Sequence, residues 1–182
     1  MDLKELIYRE DPKPSDTRWV RGIAISSGFF SEDEIDVAVE LVEERLKKGV
    51  SSGYHFVFAE KAKEVIGYAC FGHIPCTAGS YDIYWIAVKN SLRGSGLGKE
   101  ILHRTEQKIM ERGGKRIYVE TSSKGHYGPT HAFYERCGYR NEAVFKDFYA
   151  PGDHKLVFVK EVYNNADGKS KTDSVGKDPQ RN

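Results

Sequence analysis

The sequence predicts a mixed α/β fold, in which a central β-sheet carries helices on its faces. Several runs of apolar and aromatic residues have the length of strands, and two longer segments carry apolar residues at helical spacing. Strand-like runs open and close the patterned part of the chain, and the helical segments lie between them. The second half reads as strand, helix, strand, helix and two strands, an order typical of one sheet flanked by helices.

The first half holds one predicted helix and three predicted strands. Ser31 and Glu34 form a capping-box pattern, and Gly49 stands where the C-terminal cap of the same helix belongs. Apolar residues recur at helical spacing between these points, at Ile35, Val39, Val42 and Leu46. The predicted strands cover residues 6–8, 54–59 and 65–71.

The second half begins with the most apolar run of the chain, residues 81–88, which predicts a central strand. A long helix is predicted from Leu97 to Ile109, ended by Gly113 and Gly114. The remaining elements are a strand, a short helix and two closing strands, at residues 116–121, 130–136, 141–148 and 154–162.

The charge balance argues against a nucleic-acid partner. Lys and Arg number 28 against 27 Asp and Glu, whereas a nucleic-acid-binding domain is expected to carry a strongly basic face. No run of about 18 apolar residues occurs, and the N-terminus lacks the apolar core of a signal peptide. The sequence therefore predicts a cytoplasmic protein with no membrane partner.

The cysteine and histidine patterns indicate neither a disulfide framework nor a metal site. Cys70, Cys76 and Cys137 are odd in number and form no C-x-x-C pair, so three reduced thiols are expected. His126 and His131 lack the i, i+4 spacing of a helical metal pair, so no metal is predicted.

The chain is predicted to form one domain over residues 1–163, a length within the usual range for a single domain. Residues 164–182 are rich in Gly, Ser, Asp and Lys, and Ala166 and Val175 are their only apolar members. Such a segment cannot bury enough surface to offset its chain entropy, so a disordered C-terminal tail is expected.

The sharpest local feature is the loop Arg93-Gly94-Ser95-Gly96-Leu97-Gly98, between the apolar strand and the long helix. Glycines let backbone N–H groups approach a ligand and a helix N-terminus attracts anions, so a phosphate group is the expected ligand. An ordinary turn is the alternative. A Walker loop fails because Arg93 replaces its first glycine and Glu100 its Ser/Thr, and a Rossmann fingerprint fails because Lys99 replaces its third glycine.

The pattern that does fit is R-x-x-G-x-G, with Arg93, Gly96 and Gly98 in place. Together with the later segment Thr130–Tyr139, it makes the chain resemble the GNAT superfamily of acyl-CoA-dependent N-acyltransferases. The resemblance implies a largely antiparallel sheet, acetyl-CoA as cosubstrate, and acetyl transfer to a primary amine of a small molecule or peptide. Dimers are common in that family, so a homodimer is allowed, although no residue indicates one.

The resemblance gives Tyr134 the role of general acid toward the CoA thiolate. A phenol with a pKa of about 10 can donate a hydrogen bond, and then a proton, as charge grows on the sulfur. Asp82 occupies the position of a family base, with an ordered water as the alternative. Strand alternation would place Asp82, Tyr84 and Ile86 on one face, and burial in an apolar strand would raise the carboxyl pKa in the direction that suits a base.

The resemblance also implies cofactor contacts from the apolar strand, the glycine loop and the segment around the short helix. These are Ile86, Val88, Arg93, Gly94, Ser95, Gly96, Leu97, Gly98, Tyr127 and Thr130. Ile86 and Val88 would act through backbone groups beside a β-bulge, where the strand splays from its neighbour. Tyr127 stands where the family often has Asn.

The acceptor side is less defined by the sequence. Phe29, Phe30 and Tyr84 either form the substrate wall or belong to the core, and residues 147–153 either shape the acceptor pocket or form only a turn. Two other functions stay open. One is a non-catalytic acyl-CoA-binding sensor or interaction module, for which Tyr134 would have no use, and the other is a nucleotide-binding regulator.

Overall fold

One seven-stranded sheet organises the computed structural model, which describes residues 3–163. The expected tail therefore lies outside the described residues. The strands are β1 Ile7–Arg9, β2 His55–Lys61, β3 Glu64–His73, β4 Ser80–Val88, β5 Arg116–Ser122, β6 Arg140–Ala150 and β7 Asp153–Glu161. Their order across the sheet is β1-β2-β3-β4-β5-β7-β6. Only the β4–β5 pair is parallel in the described sheet, and the other pairs are antiparallel. The prediction that residues 81–88 form the central strand is confirmed.

Four α-helices flank the sheet in this part of the chain: α1 Asp16–Ser27, α2 Glu32–Lys48, α3 Leu97–Glu111 and α4 Gly128–Arg136. The predicted capping box starts α2. The Ser31 hydroxyl accepts a hydrogen bond from the Glu34 N–H at 3.3 Å, and the Glu34 carboxylate accepts one from the Ser31 N–H at 2.8 Å. No helix within residues 3–163 is both long enough and apolar enough to cross a membrane.

Helix α1 is the element that the sequence patterns did not predict. Val20, Ile23 and Ala24 bury one side of it at helical spacing, but Gly22 interrupts the run and lowers its helix propensity. The first turn is instead stabilised by a buried ion pair, in which Arg9 donates to Asp16 at 2.6 Å. The start of α1 therefore depends on a tertiary contact with β1, which local sequence patterns do not reveal.

The two faces of the sheet carry separate apolar cores. Helices α1 and α2 cover one face, where Ile23 and Val42 pack against Phe58. Helices α3 and α4 lie on the other face, where Ile101 and Tyr134 belong to the second core. The two faces are called the α1/α2 face and the α3/α4 face below.

A β-bulge interrupts β4 at Tyr84. The register pairs Cys70 with Trp85 and the next residue, Phe71, with Ile83, so Tyr84 has no partner in β3. A bulge of this kind places one extra residue in one strand and shifts the alternation of its side chains from one face to the other.

The bulge corrects the expectation that Asp82, Tyr84 and Ile86 share one face. Ile83 and Ile86 both pack in the core of the α3/α4 face, whereas Trp85 packs against the core of the α1/α2 face. Asp82 precedes Ile83 and therefore points to the α1/α2 face, away from Ile86. Simple alternation failed because it assumed an uninterrupted strand.

Strands β4 and β5 diverge soon after they meet. In the described part of the chain their pairing covers only Ser80, Tyr81 and Asp82 of β4, opposite 116–118 of β5. The remaining length of each strand faces the other across an opening. This divergence, which the family resemblance implied, exposes the edge of β4 that carries Ile86 and Val88.

Candidate active site

The opening between β4 and β5 continues as a cleft of about 1250 Å³. Most of the predicted site residues line it, although they come from four separate segments of the chain. They are Phe29, Phe30, Asp82, Tyr84, Ile86, Val88, Arg93, Gly94, Gly96, Gly98, Tyr127, Thr130 and Tyr134.

The glycine loop forms one end of the cleft. Gly94 and Gly96 have φ angles of +75° and +86°, in the left-handed region that favours glycine. Gly96 is also the N-cap of α3, so the unpaired N–H groups of the first helical turn point out of the helix beside the cleft. Their orientation creates a site suited to an anion.

Ser95 and Leu97 do not line the cleft, in contrast to the other loop residues. The Ser95 hydroxyl donates to the Leu92 carbonyl oxygen at 2.6 Å, and the Leu97 side chain is fully buried in the core. Their side chains are therefore occupied within the protein. Any contact that they make with a ligand would have to come from the backbone.

Arg93 is held in place by the C-terminal end of α1 and the loop that follows it. Its guanidinium donates to the Ser27 carbonyl oxygen at 3.1 Å and lies 4.3 Å from the centroid of the Phe29 ring. The Phe29 ring in turn stacks on the His126 ring, with 5.8 Å between the ring centroids, and contacts the Tyr127 ring. Side chains from three distant segments therefore join across the cleft.

Tyr134 lies on α4 with only 3% of its surface exposed. Its ring packs edge-on against Tyr139 at 5.5 Å and contacts Phe158 at 5.8 Å. Burial, with a smaller contribution from Cys137, raises the pKa of Tyr134 well above its usual range. The phenol is therefore protonated at neutral pH, which is the state required of a proton donor.

Asp82 is partly buried on the α1/α2 face. Burial, together with the nearby charge of Glu120, raises the pKa of its carboxyl to about 6, while Lys155 acts in the opposite direction. Lys155 pairs with Glu120, at 3.1 Å. Asp82 is thus largely ionised at neutral pH and still basic enough to accept a proton.

Comparison with known families connects this geometry to an activity. The model of the acetyltransferase (GNAT) family matches residues 13–139, which include both the glycine loop and Tyr134. The chain belongs to the GNAT family. A comparison with curated proteins gave no match.

Solved structures show the same GNAT fold. A protein from Desulfovibrio desulfuricans, assigned to the GNAT family of acetyltransferases, is 44% identical, with a TM-score of 0.84 over 86% of this chain and 98% of that one. An aminoglycoside 6'-N-acetyltransferase from Enterococcus faecium is 17% identical, with a TM-score of 0.69 over 87% of this chain and 98% of that one. The PaiA N-acetyltransferase from Thermoplasma acidophilum, solved with coenzyme A, is 16% identical, with a TM-score of 0.67 over 86% and 99%. The predicted fold class is confirmed.

The other end of this GNAT cleft has aromatic walls. Phe30 contacts Trp85 at 5.2 Å, and Tyr54 meets Tyr84 edge-on at 5.6 Å. Tyr149, near the end of β6, lines the cleft as well. Phe29 and Phe30 contact different parts of the cleft, because Phe29 lies against Arg93 and Phe30 against Trp85.

Several residues that line the cleft were missed by the sequence analysis. They are Glu34, Tyr54, Glu120 and Thr121. None belongs to a catalytic or binding motif, and they come from α2, the segment before β2, and β5. The sequence analysis identified Glu34 only as part of the capping box. That motif predicts its place at the start of α2 but not that its side chain lines the cleft.

The two ends of the cleft carry opposite charge. Basic side chains at the loop end are Arg93, Lys99 and Arg136. Carboxylates at the other end are Glu34, Asp82, Glu120 and Asp153. Asp153 is paired with Lys124 at 3.2 Å and Glu120 with Lys155, so Asp82 and Glu34 contribute most of the uncompensated negative charge.

Metal ligands do not cluster in the part of the chain that the structure covers. Within residues 3–163, no group of three or more His, Cys, Asp or Glu side chains is arranged to hold an ion. Cys70, Cys76 and Cys137 are free thiols, with Cys70 buried and Cys76 exposed.

Proposed function

We propose that the protein transfers the acetyl group of acetyl-CoA to a primary amine, most readily that of a small cationic molecule. The observation that carries this proposal is the meeting of the glycine loop, Tyr134 and Asp82 in one cleft, where β4 and β5 diverge. An anion site can hold the phosphates of the cofactor, a buried phenol can protonate the leaving thiolate, and a carboxylate with a raised pKa can take a proton from the amine.

The cleft residues fit coenzyme A as a ligand. A Cβ atom on Gly94 would meet no atom within 4 Å, so the loop leaves open space for a phosphate group. Arg93 and the N-terminus of α3 would hold the pyrophosphate, and the exposed edge of β4 at Ile86 and Val88 would pair with the amides of the arm. When bound, acetyl-CoA supplies the activated acyl group as a thioester.

Tyr134 is the proposed general acid. The phenol is protonated at neutral pH. The departing sulfur becomes a base that can accept this proton as negative charge develops on it. Because the ring is fixed by contacts with Tyr139 and Phe158, the hydroxyl needs no reorganisation to act. The proton moves from the Tyr134 Oη to the sulfur as the carbon–sulfur bond breaks.

Asp82, or a water molecule that it holds, is the proposed base. An alkylammonium with a pKa of about 10.4 is neutral in a fraction on the order of one in a thousand at pH 7, so a proton must be removed before attack. Asp82 faces the acceptor end of the cleft, where the amine would arrive. Its raised pKa favours proton acceptance at neutral pH.

The charge and shape of the acceptor end support a small cationic amine. Asp82 and Glu34 attract positive charge, and Tyr54, Tyr84 and Tyr149 offer aromatic faces to an ammonium group. Residues of the α1–α2 loop, β4 and the final hairpin line this end. The proposal of a small amine therefore depends on the carboxylates and aromatic rings that these segments contribute.

An acetylation assay over a panel of amines tests the proposal. Release of the free CoA thiol would be followed for monoamines, diamines, amino sugars and a lysine peptide, and at least one amine should give turnover. If coenzyme A binds but no amine is acetylated, the chain is a non-catalytic acyl-CoA sensor. If ATP or NAD, rather than coenzyme A, raises the melting temperature, the chain is a nucleotide-binding regulator.

Four further statements stay predictions. They are a single domain over residues 1–163, a cytoplasmic location, the homodimer that the family resemblance allows, and function without a metal or nucleic-acid partner. Sedimentation of the full chain would measure the oligomeric state.

A further inference from the structure

The hydroxyl group of Thr121 is buried without a partner. Thr121 lies near the end of β5 with 7% of its surface exposed, and its Oγ1 has no hydrogen-bond partner among the described residues. Because a buried hydroxyl without a partner destabilises a folded protein, each such group calls for an explanation.

The position of Thr121 supplies one. It stands three residues beyond Tyr118, the last residue of β5 that pairs with β4, and so belongs to the diverging part of the strand. Alternation along β5 places it on the same face as Val119, which packs in the core that contains Tyr134. Thr121, Val119 and Tyr134 all line the cleft.

Other buried hydroxyls provide a contrast. Tyr8, Tyr68 and Tyr139 also carry buried hydroxyls without partners among residues 3–163, but none of these three lines the cleft. Thr105 is fully buried as well, and its hydroxyl donates to the Ile101 carbonyl oxygen at 2.8 Å. Thr121 therefore combines an unused hydroxyl with a position in the cleft wall.

We propose that Thr121 is a further cofactor-binding residue, whose hydroxyl donates a hydrogen bond to a carbonyl oxygen of the acyl-thioester arm. This inference rests on the proposed function, because it requires an acyl-CoA in the cleft. The arm would then be held from both sides of the opening, by the backbone edge of β4 and by the Thr121 side chain of β5. In the proposed complex, the ligand supplies the hydrogen-bond acceptor that the described protein groups do not give this hydroxyl.

The nearly isosteric variant Thr121→Val tests this directly. It removes the unpartnered hydroxyl, so the unliganded protein should melt about 2–4 °C higher than the wild type. The same change should weaken binding of coenzyme A, of acetyl-CoA or of both by about three- to tenfold in calorimetric titrations. Thr121→Ser keeps a hydroxyl and should bind both ligands within about twofold of the wild type.

Thr105→Val is the matched control, since it removes a buried hydroxyl that already has a partner. It should not raise the melting temperature, and its affinity for coenzyme A should equal that of the wild type. A lower melting temperature for Thr121→Val, or unchanged affinity for both ligands, would overturn the inference. If Thr121→Val does not fold, weak binding by a folded Thr121→Ser overturns it and wild-type affinity supports it.

Failure of this inference is separable from failure of the proposed function. A wild-type protein that acetylates amines, beside a Thr121→Val variant that binds normally, refutes only the role of Thr121. A wild-type protein that binds no coenzyme A refutes both. Binding by the wild type, with weaker binding by Thr121→Val and no turnover of any amine, supports Thr121 as a cofactor contact and refutes only acetyl transfer.

Discussion

The two ends of the cleft differ in how they are built. The loop end, which we propose to bind the cofactor, comes largely from two continuous segments, the loop 93–98 and helix α4, and its main features are backbone conformation and a helix N-terminus. The other end, the proposed acceptor end, is assembled from side chains of the α1–α2 loop, β4, β5 and the final hairpin. A site made of backbone depends on a few glycines, whereas a site made of side chains depends on how distant elements pack.

Charge separates the two ends as well. Arg93, Lys99 and Arg136 surround the loop, while Asp82 and Glu34 lie at the acceptor end. The net charge of +1 conceals this division, because the two groups nearly cancel in the sum. The comparison predicts that single changes will affect one end and spare the other.

The largest effect is expected at Gly96. Its φ of +86° strains any other residue, and a valine side chain would crowd the phosphate site, so Gly96→Val should weaken coenzyme A binding by at least about 100-fold. Calorimetric titration measures the loss. Gly22→Ala, in a helix with open space at the Cβ position, should bind normally. Wild-type affinity for Gly96→Val would mean that the loop is only a turn.

Removal of the Tyr134 hydroxyl should have the next largest effect. Tyr134→Phe keeps the ring contacts and loses the proton donor, so kcat should fall at least about tenfold while coenzyme A affinity stays within a few-fold. Steady-state kinetics and titration separate the two quantities. Tyr139→Phe changes a buried neighbour outside the cleft and should keep the wild-type kcat. Equal turnover by Tyr134→Phe would assign the acid to another group.

Asp82 should control the pH dependence. With a pKa of about 6, it accepts a proton only above that pH, so the wild-type rate should rise through about pH 6. In Asp82→Asn, this acidic limb should disappear from the pH–rate profile, and kcat/KM at neutral pH should fall several-fold. An unaltered profile would give the role to a water molecule that does not depend on Asp82.

The Asp82 carboxyl should also affect the stability of the fold. Its ionisation should destabilise the folded state, whereas ionisation of a salt-bridged carboxyl stabilises it. The folded protein holds the Asp82 proton more tightly than the unfolded chain, whose carboxyl has a pKa of about 3.9, so ionisation destabilises the folded state as pH rises from about 4 to 6. Asp82→Asn should therefore melt higher than the wild type at pH 8 and equally at pH 4. Thermal scans at the two pH values measure the difference, and a lower melting temperature at pH 8 would contradict it.

The smallest effects should distinguish two adjacent phenylalanines. Phe29→Leu removes the ring beneath Arg93, so coenzyme A affinity should fall about two- to fivefold while the KM of the amine stays constant. Phe30→Leu removes the contact with Trp85 and should raise the amine KM with little change in coenzyme A affinity. Each variant serves as the control for the other. Equal effects of both on both ligands would remove the division between the two ends.

The sequence predicted most of the fold from local patterns. The capping box of α2, the central position of β4 and the glycine loop before α3 depend on residues close together in the chain. Helix α1 escaped because its stability comes from the Arg9–Asp16 ion pair and from packing against β3 and β4. Such contacts join segments that no short window of sequence contains.

By itself, the sequence predicted the mixed α/β class and the loop from Arg93 to Gly98, and its motifs carried the resemblance to the GNAT family that implies Tyr134 as the acid. The loop and the motifs are local, because a glycine at positive φ or a motif on one helix is specified by neighbouring residues. Only the tertiary structure decided that the bulge at Tyr84 turns Asp82 away from Ile86 and that Glu120 lies near Asp82. It also decided that the Thr121 hydroxyl, in the cleft wall, has no partner within residues 3–163. Strand register and the approach of distant strands depend on packing throughout the sheet, and the short motifs do not encode them.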